Sequence, residues 1–160
     1  MSALVSGEFW AFVGVVAGIY TILALGLQLQ PLEVQSADEL PGAFASARGK
    51  SGAVLILYSS MIYAERARIG ALALKSGLPT MAQGRDFVDA GALMSYAPDR
   101  DAVLSRAVYL VDRLLKGASL NALPVEQASK FKLSINSRTA KGLKLTIPQS
   151  VLLRADEVIR

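Results

Sequence analysis

Two hydrophobic patterns divide the chain, and they meet at the string ALGLQLQPLEV, Ala24 to Val34. Upstream, FWAFVGVVAGIYTILALGL runs from Phe9 to Leu27 as nineteen residues without a charged side chain. At about 1.5 Å per residue this length crosses about 30 Å of hydrocarbon. A helix that is apolar all round offers water no polar face. The pattern therefore predicts a transmembrane helix in a first segment, residues 1–26, with Trp10 as an interfacial anchor. Gly14 and Gly18 have the small-residue spacing that lets helices approach closely. A cleaved secretion signal fits less well, because the start carries Glu8 but no Lys or Arg, and the apolar run is too long.

From Leu27 the periodicity changes to that of a folded α/β domain, residues 27–160. LQLQPLEV alternates apolar and polar with period two and predicts a strand, with Gly26 placed to end the preceding helix. SADE, Ser36 to Glu39, has the spacing of a capping box and predicts a short helix with Leu40, Ala43, Phe44 and Ala47 inward. Pro41 lies a little deep for that start and predicts a slip or kink. AVLILY, Ala53 to Tyr58, is a continuous apolar run, as in a central parallel strand covered on both faces. A helix over 61–76 follows, with Glu65, Arg66, Arg68 and Lys75 on one side. Tyr63, Ala67, Gly70, Ala71 and Leu74 share the other.

LPTMA predicts a strand, GRDFVDAG a short helix closed by Gly91, and ALMSYA another strand. The clearest helix spans Asp99 to Lys116, with Leu104, Ala107, Val108, Val111, Leu114 and Leu115 as its buried stripe. KFKLSIN alternates and predicts a half-exposed strand. A short helix, Pro148 and a final amphipathic turn complete the chain.

The order of elements predicts an α/β fold: a mostly parallel, doubly wound sheet with helices on both faces. In such sheets ligands bind outside the carboxyl ends of the strands. This rule selects Ser59, Ser60, Gln83, Arg85 and Tyr96 as candidate ligand-binding residues. Each also has a plain structural role: Ser59 or Ser60 as a helix cap, Arg85 as a surface charge, Tyr96 as an aromatic at the core rim. Glu126 and Lys130 read as a solvated pair.

Composition narrows the chemistry. The 160 residues are 52% hydrophobic and 19% charged, with a net charge of +4. The chain contains neither His nor Cys, which removes most zinc, haem, iron–sulfur and His-based triad chemistry and any thiolate nucleophile. There is no phosphate-binding glycine loop, no nucleophile elbow and no paired carboxylates at a strand end. Neither an enzyme nor a cofactor or metal site is expected. Lys130, Lys132, Arg138, Lys141 and Lys144 form a basic patch with only Phe131 as a stacking aromatic, so nucleic acid is not an expected partner.

The strings ALGLQLQPLEV…SADELPGAF, GAVLILYSSMIYAERARIGALALKSGLPTMAQGRDFVDAGALMSYAPD and LLKGASLNALPVEQASKFKLSIN carry a resemblance. Together with TAKGLKLTIPQSVLLRADEVI, they resemble the carboxyl-terminal half of periplasmic substrate-binding proteins of ABC importers. The subgroup is that with type I, amino-acid-receptor-like lobes, and the likeness covers about residues 24–160. Residues 1–30 are instead similar to the first transmembrane segment of branched-chain amino-acid ABC permeases. ALGLQLQ fits both parents, closing a span in one and opening a strand in the other.

The resemblance implies a non-catalytic substrate-binding component, or a chimeric remnant of one, for amino acids or similar small solutes. It also implies ABC permease subunits as partners, with the lobe in the periplasm on a bacterial inner-membrane tether. A two-lobed receptor closes on its ligand by hinge motion, and here the amino-terminal lobe is missing. The competing expectation is an interaction or regulatory lobe without its own ligand, with a homodimer as one form of it.

Overall fold

The computed structural model describes residues 26–160, and the transmembrane helix expected over residues 1–26 lies outside them apart from Gly26. The chain divides into two compact units, Met1–Glu33 and Val34–Arg160. In the first, the described residues hold neither helix nor strand. Gly26 adopts φ +72°, the left-handed backbone expected of a helix-ending glycine. Among the described residues no helix is long and apolar enough to cross a membrane.

The strand expected at Leu27–Val34 does not form. Its alternation suits a strand, but a strand exists only through the hydrogen bonds of a neighbour, and no strand is paired with it.

The second unit begins with a 3₁₀ turn, Ala37–Glu39, and α1, Leu40–Ala47, which buries Leu40, Phe44 and Ala47 at helical spacing. The turn shifts the start so that Pro41 falls in the first turn of α1, where its missing N–H costs nothing. Glu39 does reach back, but to the Gln35 N–H at 2.9 Å and the Ser36 hydroxyl at 3.2 Å. The expected Ser36 cap of a backbone N–H is absent.

Next come β1, Val54–Ile56, then α2, Ser60–Ala64, and α3, Arg66–Ser76. The single helix expected over 61–76 is thus two, broken at Glu65, whose ψ of 10° leaves the helical range. They continue into β2, Thr80–Ala82, α4, Arg85–Asp89, and β3, Met94–Pro98. The long helix α5, Arg100–Leu115, leads to β4, Phe131–Asn136, and α6, Ser137–Gly142. Finally come α7, Gln149–Leu152, and β5, Glu157–Ile159, a strand the sequence pattern leaves as part of a terminal turn.

The five strands form one sheet in the order β1-β2-β3-β4-β5. It is mostly parallel, as expected: only β3 and β4 run antiparallel. The reversal follows from the excursion through α5. Asp99 donates its N–H to the Lys130 carbonyl at 2.8 Å, so the chain leaves β3 and re-enters β4 at the same sheet edge.

The core lies against α1, α3 and α4, with Ala47, Ile69, Phe87, Val88 and Ile135 almost wholly enclosed. Two helical expectations fail here. β1 is an edge strand, and Leu55 with its register partner Met81 faces solvent, 47% and 37% exposed. One face of the β1–β2 half is therefore uncovered among the described residues, where helices were expected on both. The stripe of α5 is not core either: Val108 is 69% and Leu115 84% exposed, and the helix buries no residue. Amphipathic periodicity identifies the face that needs covering. It does not supply the cover.

One close approach locks α3 to the core. A Cβ on Gly70 would stand 2.3 Å from the Ala90 carbonyl oxygen and 3.2 Å from the Gly91 Cα. Gly91 itself takes φ +110° to close α4. Gly70→Ala is expected to destabilise the fold by about 1–3 kcal/mol, since backbone must move to admit the methyl. Unchanged unfolding in urea would mean that α3 and the α4 turn are farther apart than described.

Candidate functional site

The carboxyl ends of β1, β2 and β3 share one edge because these strands are parallel. Each is followed at once by a helix, which brings polar side chains to the edge. After β1, Ser59 is the N-cap of α2 and accepts from the Ile62 N–H at 3.2 Å. Ser60 is the first residue of that helix and is exposed. After β2, the Gln83 side-chain oxygen accepts from the Tyr58 N–H at 3.2 Å and ties the two strand ends together. Tyr96 follows Ser95, the register partner of Ala82, and is exposed near the carboxyl end of β3. Its ring stacks on Phe131 with centroids 5.3 Å apart.

Arg85 also lies at this edge, but its guanidinium contacts Glu157 at 2.8 Å and Asp89 at 3.6 Å. Its charge is matched by two carboxylates of the chain itself. Gln83 turns to the end of β1, Tyr96 stacks on Phe131 of β4, Ser59 and Ser60 belong to the α2 start, and Arg85 turns toward β5.

The densest polar group at the edge is one that the strand-end rule did not select. Tyr63 donates its hydroxyl to Asp86 Oδ2 at 2.9 Å, and Arg100 stands 3.6 Å from the same oxygen. Tyr63 packs against Tyr58 at 5.7 Å and edge-on against the buried Phe87 at 6.0 Å. The Arg66 guanidinium lies 4.6 Å over the Tyr63 ring, in cation–π range. The hydrogen bond to Asp86 raises the Tyr63 hydroxyl above its ordinary pKa, so it stays a donor. Tyr58, Asp86 and Arg100 each lie just behind the end of β1, β2 or β3. Their position was therefore readable from the sequence, whereas the convergence of Tyr63 on Asp86, 23 residues away, is a tertiary contact.

Neighbouring ion pairs hold the base of α5. Asp99 caps the helix by accepting from the Asp101 N–H at 3.1 Å, and Lys132 Nζ lies 3.1 Å from the same carboxylate. The Lys132 hydrogen bond holds the Asp99 carboxyl below the usual aspartate range. Glu126 pairs with Arg106 through two hydrogen bonds rather than with Lys130, and this lowers its pKa likewise. Among the described residues no cluster of three or more acidic side chains could hold a metal. A hollow lined by Ser137, Ala140, Lys141, Leu145, Ile147 and Leu152 lies at the opposite edge, beyond the carboxyl end of β4. It is mostly apolar and is remote from the strand ends.

The strand-end mouth holds aromatics, an acid and an arginine, and comparison with known proteins assigns the chain to a family. The family described as ABC transporter substrate binding protein matches residues 6–159. The chain belongs to this family.

The match takes in most of the segment read as a membrane span. The family has a substrate-binding role and is non-catalytic, so the chain is not an enzyme. Solved structures agree on the fold. A conserved domain protein from Vibrio cholerae superposes with TM-score 0.82 at 22% identity, covering 92% of this chain and 50% of that one. The ABC domain from Streptococcus pneumonia in complex with L-Trp gives TM-score 0.82 at 25% identity, covering 96% and 54%. A substrate-binding protein with adhesive properties from Clostridium difficile, ligand-free and open, gives TM-score 0.71 at 17% identity, covering 96% and 52%. The chain thus spans about half the length of the solved relatives it matches. No curated protein matches it.

Proposed function

We propose that the chain supplies one half of a solute-binding site for an ABC import system, with an amino acid as its solute. Residues 1–26 tether it to the bacterial inner membrane beside permease subunits, with the lobe in the periplasm. The observation that carries the solute reading is the Tyr63–Asp86–Arg100 group at the strand ends. Tyr63 and Arg100 both approach Asp86 Oδ2, which leaves Oδ1 to meet an α-ammonium. The exposed Arg100, in only a loose 3.6 Å pair, keeps donors of its planar fork for an α-carboxylate. Tyr58 and Tyr96 offer aromatic walls with a hydroxyl at the rim. The complex of a relative of the same fold with L-Trp supports an amino acid with a large side chain. The tether rests on the length of the uncharged run in the sequence. The permease partner rests on the family and on the likeness of residues 1–30 to a permease span.

A half-site buries only part of its ligand and gains nothing from closure. The expected affinity is therefore millimolar, about −4 kcal/mol. Calorimetry on the full chain in mild detergent, titrated with L-Trp and the other amino acids, tests this. Millimolar binding that Asp86→Asn weakens at least about tenfold, or about 1.4 kcal/mol, supports the reading. Absence of heat with every amino acid overturns the solute reading. Micromolar binding by a monomer overturns the half-site.

A further inference from the structure

Tyr63 is held on several sides. Tyr58 packs on its ring at 5.7 Å, Phe87 meets it edge-on at 6.0 Å, and the Arg66 guanidinium lies 4.6 Å over its face. Arg66 also donates to the Tyr63 carbonyl at 3.0 Å, which keeps the cation over the ring. A tyrosine side chain has only two torsions to the ring, so a ring packed in this way aims its hydroxyl in one direction. That direction is Asp86 Oδ2, 2.9 Å away.

The neutrality of this donor sets Asp86 apart from the paired carboxylates nearby. At Asp99, Glu126 and Glu157 the close partner is Lys132, Arg106 or Arg85, so each carboxylate faces a cation. At Asp86 the close partner is a phenol, while Arg100 stays 3.6 Å away in an exposed pair, where an ion pair has little strength. Asp86 is therefore held in place without losing its negative charge, and both neighbours leave Oδ1 open. We propose that Tyr63 is a positioning residue for the α-ammonium of the solute: it fixes the Asp86 carboxylate before binding, so that the ammonium meets a preformed partner rather than a rotating side chain. This role rests on the solute reading above. Fixing a partner in advance removes an ordering cost from binding. The benefit falls on ligands that carry the ammonium and not on those that lack it.

L-Trp and indole-3-propionate, the same molecule without its α-ammonium, separate the two cases. Tyr63→Phe keeps the ring and its packing and removes only the hydroxyl. In NMR titrations of the full chain in mild detergent, this variant is expected to weaken L-Trp at least about fivefold and indole-3-propionate less than about twofold. Equal weakening of both would make Tyr63 a packing residue, and no weakening would make it idle; either result overturns the proposal. A second measurement needs no ligand. The ultraviolet titration of the wild-type chain minus that of Tyr63→Phe isolates the Tyr63 hydroxyl. It is expected to ionise above the ordinary tyrosine range and to move down in Asp86→Asn, because the hydrogen bond to the carboxylate is the main cause of the shift. An Asp86→Asn variant that leaves it in place overturns the proposal whatever binds. A wild-type chain that binds neither probe overturns the solute reading and this role with it, even where the titration shows the hydrogen bond.

Discussion

Phe87→Ala is expected to lower the unfolding free energy by about 3–5 kcal/mol, the range for truncating a large buried aromatic. Phe87 is 2% exposed and sits in α4 beside the wholly enclosed Val88. The five-residue helix α4 has no length to stabilise itself and stays in place only through the side chains it buries. The Ala92 N–H also bonds the Phe87 carbonyl at 2.8 Å, so displacing this residue disturbs the lead into β3. Phe87 further backs Tyr63, edge to face, and so fixes the hydroxyl that meets Asp86. Stability and the candidate site should therefore fail together. Phe87→Leu, which retains most of the volume, is expected to lose less than half as much. Chemical denaturation followed by circular dichroism measures both, and a loss below about 1 kcal/mol for Phe87→Ala would mean that α4 is not seated as described.

Asn136→Ala is expected to lose about 1.5–2.5 kcal/mol through hydrogen bonds rather than volume. The buried amide of Asn136 donates to the Val88 carbonyl at 2.9 Å and accepts from the Thr139 N–H at 3.0 Å. The second bond is the N-cap of α6, worth about 1 kcal/mol. The first goes to a carbonyl that also accepts from the Gly91 N–H at 3.1 Å, so its loss costs only the net value of one hydrogen bond, about 0.5–1.5 kcal/mol. Thr139 extends the same bridge by donating its hydroxyl to the Gly91 carbonyl at 3.0 Å. The contacts to Val88 and Gly91 hold α6 to the carboxyl end of α4. Asn136→Asp is the informative companion: it keeps the cap but cannot donate to Val88. It should therefore recover only the capping part. If Asn136→Asp and Asn136→Ala prove equally stable, the cap contributes nothing and the ledger for this residue is wrong.

Local pattern carried far in this chain. The apolar runs located β1, β2 and β3, and the end signals placed α5 to within a residue, with Asp99 as cap and Gly117 at φ +89° behind it. The strand-end rule selected Ser59, Gln83, Arg85 and Tyr96, and the structure places each at or just beyond the carboxyl end of β1, β2 or β3. These features are set by neighbours in sequence: the twofold and 3.6-fold periods, caps and left-handed glycines. β5 is no shorter than β1 or β2 but escaped because its Val158 and Ile159 sit between Asp156, Glu157 and Arg160 rather than inside an apolar run.

What remained was decided by partners in space. Leu27–Val34 alternates as a strand should, yet among the described residues no strand pairs with it. Arg85 has the form of a carboxylate clamp, but Glu157 arrives from the far end of the chain to meet it. Leu115 completes a regular apolar stripe and is 84% exposed. A sequence records which surface must leave water, because that is a property of the side chains themselves. Whether the surface finds cover depends on which other segments reach it, and only the tertiary structure answers that.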